Sequence, residues 1–100
     1  MATKLRKLVI GNTTPGYNNS RLVSLTLGTN KLLEELDIRN CGSLTGAINL
    51  AQCSNLLRFY ADGSKITGAT FATNGKIETI HLPSTINTLT MRNLNNLSDF

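Results

Sequence analysis

The chain contains no tryptophan, and its aromatic residues are two Tyr and three Phe. A compact globule of this length would bury more aromatic volume, so the core is expected to consist of small aliphatic side chains repeated along the chain. Charge is sparse as well, at 16% of residues with a net charge of +4. No run of five or six like charges occurs, and no basic stripe is interleaved with aromatics, so no nucleic-acid partner is expected. No apolar stretch approaches membrane-spanning length, and the opening MATKLRKLVIG has neither the apolar core nor the cleavage site of a secretory signal. Membrane insertion is therefore not expected.

Chemistry-bearing residues are few. His81 is the only histidine. Ser84 is near it in sequence, but Pro83 intervenes and no orienting carboxylate can be assigned, so a serine–histidine pair has little support. No carboxylate spacing suggests a glycosidase pair, and no glycine-rich loop is built to cradle phosphate. The reading is that the chain is not an enzyme and needs no cofactor or metal. Cys41 and Cys53 each open a Cys-x-x-Leu, and Asn19, Asn30 and Asn74 recur at the same spacing before an aliphatic residue. The cysteines are thus turn residues, buried and reduced. Their expected place on opposite sides of a coil puts them beyond disulfide reach, and zinc would lack its other ligands.

What the chain does contain is a repeat. An apolar residue followed three and five positions later by two more recurs along it: Leu5-Leu8-Ile10, Leu22-Leu25-Leu27, Leu33-Leu36-Ile38, Leu56-Phe59-Ala61, Ile77-Ile80-Leu82 and Ile86-Leu89-Met91. Most copies start about eleven residues apart, and alternate copies about 20 to 23 residues apart, a period that means a solenoid. The expected fold is all-β, with about four coils and two parallel sheets, in one repeat domain over residues 1–100 that is incomplete at its C-terminal end. Leu5, Leu33, Leu56, Ile77 and Leu97 mark strands of the first sheet, and Leu22, Leu44, Ile66 and Ile86 those of the second. LTGA at 44–47 and ITGA at 66–69 read as equivalent strand openings. Segments between strands are too short and too rich in Gly, Thr and Asn for helices.

LEELDIRNC at 33–41 and LVSLTLGTN at 22–30 resemble the leucine-rich repeat pattern L-x-x-L-x-L-x-x-N/C. The resemblance implies that Asn30 and Cys41 turn inward and bond the backbone of the turn, with Ser64 and Thr85 as stand-ins. IETIHLPSTINTLTM, at 77–91, is similar to the bacterial surface-protein branch of that family. LEELDIRNCGSLTGAINLAQCSNL is similar to repeats of bacteriophage virion and tail proteins. These likenesses imply a virion- or tail-associated module that binds protein or a host-surface ligand, either in the virion or in the bacterial cytoplasm before assembly. The alternatives are a cell-surface adhesin fragment and an appendage of a glycan-processing enzyme.

Strand alternation assigns the outer faces. The first sheet is expected to show the columns Lys7-Glu35-Arg58-Thr79-Asp99, Val9-Asp37-Tyr60-His81 and Gly11-Arg39-Asp62-Pro83. Charges of both signs surrounding one Tyr and one His suit a binding surface. The candidate residues are Arg39, Arg58, Tyr60, Asp62, His81, Glu35 and Asp37. The competing expectation is a solvated face whose charges pair across strands. The second sheet is expected to present Ser24, Thr26, Gly68, Thr70, Thr88 and Thr90, a flat face nearly free of charge. Met91, Leu94, Leu97 and Phe100 form a candidate assembly end through which copies self-associate.

Overall fold

The computed structural model describes residues 5–12, 14, 18, 19 and 21–100. Among them are seven strands and no helix: β1 Lys7–Val9, β2 Glu35–Asp37, β3 Thr45–Leu50, β4 Arg58–Tyr60, β5 Lys65–Phe71, β6 Thr79–His81 and β7 Thr88–Thr90. They form two parallel sheets, in the orders β1-β2-β4-β6 and β3-β5-β7. From β2 onward the chain visits the two sheets alternately, so β4 lies one full circuit beyond β2. The bond between Arg58 and Glu35 joins neighbouring circuits across 23 residues. A bridge from Thr79 to Asp99 adds one more parallel rung beside β6.

Each strand is short because a corner follows within a few residues. At the corners a backbone N–H reaches the carbonyl three residues back: Cys41 to Ile38, Cys53 to Leu50, Ser64 to Ala61 and Gly75 to Ala72. The next apolar residue then closes onto the corner itself, as Leu44 does on Cys41 and Leu56 on Cys53. Corner side chains point inward and bond the backbone that the turn would leave unpaired. Asn30 Nδ2 donates to the Leu27 carbonyl, and Ser64 Oγ to that of Ala61. Cys41 Sγ approaches the Arg39 carbonyl at 3.9 Å. Thr85 departs from its expected role: its hydroxyl reaches across one circuit to the Ile66 carbonyl.

The core is one column between the sheets, containing Leu27, Leu36, Ile38, Ile48, Leu50, Phe59, Phe71 and Ile80. Burial of each such side chain is worth about 1.5–3 kcal/mol. Phe59 of the first sheet meets Phe71 of the second edge to face, at 5.7 Å between centroids. Leu8, Ile10, Leu25, Leu82, Leu89 and Met91, also expected inside, are partly buried against this column. Both cysteines are buried free thiols, and burial pushes both thiol pKa values up.

Four readings need correction. Residues 22–29 are not a strand of the second sheet; one backbone bond, from Thr45 N–H to Val23 O at 3.4 Å, joins them to β3. The two TGA runs are not in register. Ala47 pairs with Gly68 and Ile48 with Ala69, because β5 accommodates one extra residue, Thr67. Gly68 is consequently buried, since a β-carbon there would sit 3.3 Å from both the Ala47 β-carbon and the Thr88 carbonyl. Asp37 and Pro83, placed outward by alternation, are buried as well.

Candidate functional site

The outer face of the first sheet brings the predicted polar residues together. Register sets Glu35 beside Arg58, Asp37 beside Tyr60, and Tyr60 beside His81. Arg39 leaves the strand just after Asp37 and folds back on it. Its Nε donates to Asp37 Oδ1 at 3.0 Å and its Nη2 to Oδ2 at 2.6 Å, a two-pronged clamp. The Arg39 backbone N–H adds a third bond to Oδ1 at 3.0 Å. This clamp explains how Asp37 can be only 3% exposed. Burial pushes the Asp37 carboxyl up, but its hydrogen bonds from Arg39 and the guanidinium charge outweigh that and hold it below its ordinary 3.8. The same pairing raises Arg39.

Held this way, the guanidinium lies over the Tyr60 ring, 4.5 Å from the centroid, a cation–π contact. His81 meets Tyr60 edge-on, with centroids 5.3 Å apart. His81 Nε2 lies 3.0 Å from Asp99 Oδ2, and Nδ1 lies 4.0 Å from Asp62 Oδ1. Three successive circuits thus contribute to one row, Arg39-Tyr60-His81, with carboxylates on its flanks. Glu35 bridges Arg58 at 2.8 Å and Lys7 at 3.3 Å. The Arg58 hydrogen bond is the main reason the Glu35 carboxyl stays below its ordinary 4.5.

The row is a fixed arrangement of one cation, two rings and hydrogen-bonding edges. Ser84 is exposed in the turn after Pro83 and shares no hydrogen bond with His81, whose ring nitrogens face carboxylates. Among the described residues no group of three or more His, Cys, Asp or Glu is placed to hold a metal ion. No described helix is long and apolar enough to cross a membrane. At the candidate assembly end, Met91, Leu94 and Leu97 pack against the core, whereas Phe100 is 68% exposed.

The second sheet carries a feature that sequence reasoning missed. A groove of about 470 Å³ lies between residues 25–29 and β3, lined by those five residues with Ala47, Asn49 and Gln52. Its signal was hidden because LVSLTLG has the same apolar pattern as a paired strand. No protein-family model, no curated protein and no solved structure matches this chain.

Proposed function

We propose that the chain is a non-catalytic recognition and assembly module, built as a leucine-rich-repeat-like solenoid of about four coils. It acts in a bacteriophage virion or tail and binds protein or a host-surface ligand through the outer face of its first sheet. The observation that supports binding is the Arg39-Tyr60-His81 row. Its side chains come from three circuits, and the Asp37 clamp fixes Arg39 in place, so little side-chain freedom is lost on binding. Tyr and Arg are also the residues most often dominant at binding surfaces. The virion assignment rests on the resemblance of residues 33–56 to virion repeats.

The test is binding of the labelled chain to intact bacterial cells and to phage particles stripped of tail proteins. The Tyr60→Ala and Arg39→Gln variants are compared with Thr88→Ser on the other sheet. The reading expects saturable binding that drops at least about tenfold in the first two variants and is unchanged in the third. Equal binding by all three, with folding intact, would remove the row from consideration.

A further inference from the structure

We propose that β3 and the segment 25–29 form a receptor slot for an extended polypeptide, which joins the second sheet as an added parallel strand beside β3. The site is separate from the Arg39-Tyr60-His81 row, and its ligand is recognised through backbone hydrogen bonds.

In the first sheet, outward-facing residues of a strand turn their backbone groups toward the preceding strand. The Glu35 N–H bonds the Arg6 carbonyl, and the Asp37 carbonyl accepts from Ile10. Inward residues turn theirs to the following strand, as the buried Ile38 does in donating its N–H to the Tyr60 carbonyl. The second sheet repeats this rule at its start: the Thr45 N–H points back to Val23, and the Leu44 carbonyl accepts from Lys65 ahead. Ala47 and Asn49 are the next outward residues of β3, so their backbone groups face the preceding position. That position is the groove. No backbone hydrogen bond joins either residue to 25–29. Among the described strands β3 is paired with β5 alone, leaving one edge of a six-residue strand without a described partner strand after Thr45. Such an edge is a template for a further strand, which binds by main-chain bonds.

The walls narrow the chemistry. Among the described residues the lining is neutral: Thr26, Thr29, Asn49 and Gln52 provide polar groups and Leu25, Leu27 and Ala47 apolar ones. The described lining offers no aromatic platform for a sugar ring and no counter-charge for an ionic ligand. The ligand that fits is a short extended peptide with small uncharged side chains. The segment 25–29 is held apart from β3 while Leu27 stays buried at 4% exposure, so the core anchors the far wall. Gly28, with φ +60°, turns the backbone at that wall.

The experiment is amide hydrogen exchange by NMR on the 100-residue chain, alone and with acetyl-TGATGAT-amide. This peptide repeats the small uncharged TGA run of β5 (67–69), a strand that pairs in parallel with β7. Ala47 and Asn49 amides are expected to exchange as unprotected groups in the free chain. Peptide at about 1 mM is expected to slow them at least about tenfold. The same peptide with every amide N-methylated keeps its side chains and carbonyls but sets methyl groups against the β3 edge and loses the donors to the Ala47 and Asn49 carbonyls, so it cannot seat as a strand and is expected to give no protection. Protection already present in the free chain would overturn the proposal, because residues 22–29 would then be zipped onto β3. Failure of the peptide to protect, or equal protection by the N-methylated peptide, would also overturn it. So would a chitotetraose titration that shifts the Asn49 and Gln52 side-chain amides when the peptide does not, since the groove would then be a sugar site.

Discussion

Asp37 shows how one side chain settles the character of a surface. Alternation makes it an outward residue, yet three hydrogen bonds from Arg39 replace its water. Replacing it with Asn leaves the guanidinium without its counter-charge and one acceptor short. Asp37→Asn is expected to cost about 1–3 kcal/mol in urea unfolding, and to free Arg39 from Tyr60. The pH dependence follows from the same contacts. Asp37 and Glu35 are both held below their ordinary values of 3.8 and 4.5, so the folded chain binds fewer protons there than the unfolded chain does. Their contribution is complete above those ordinary values and is lost as pH falls through the lower folded ones. The urea midpoint is therefore expected to decline below about pH 5, and Asp37→Asn and Glu35→Gln should each flatten that decline.

Elements in this protein are three to seven residues long, too short to persist alone, so each depends on the circuits beside it. Gly68 illustrates the dependence. It lies between Ala47 of β3 and Thr88 of β7, where the extra residue Thr67 has shifted β5 by one position. Gly68→Val would press a branched side chain against a neighbouring carbonyl, and a loss of about 1–3 kcal/mol is expected by thermal unfolding. Phe59 ties the two sheets together: it is fully buried and meets Phe71. Phe59→Ala is expected to cost about 3–5 kcal/mol. A double-mutant cycle with Phe71→Leu should return a coupling of about 0.5–1.5 kcal/mol.

At the scale of the whole molecule, every strand pair joins residues about twenty or more positions apart in the chain. Stability should therefore be graded along the stack. The circuit containing 22–29, with a single backbone bond to β3, is expected to exchange its amides before those of β4 and β5 do. Self-association belongs to this scale too. Phe100 is exposed, whereas Met91, Leu94 and Leu97 are partly buried against the core. Phe100→Ser is expected to shift any concentration-dependent oligomer seen by light scattering toward monomer without lowering the unfolding temperature.

The residue order alone determined the period, the parallel sheets, the inward aliphatic column and the outward columns in which Tyr60 and His81 stand side by side. These were legible because a parallel stack translates one spacing into one position: what recurs about every 22 residues must be neighbours. Tertiary structure decided what spacing does not encode. Thr67 bulges and moves Gly68 beneath Ala47, although the two TGA runs read as aligned. Arg39 covers Asp37, because a side chain two residues away can turn back and bury a neighbour that alternation exposes. Residues 22–29 show the limit most clearly. Their leucines match those of paired strands, and Leu27 does enter the core. Whether the backbone also reaches β3 depends on where the preceding chain sets it, and a separation of strands changes no letter of the pattern.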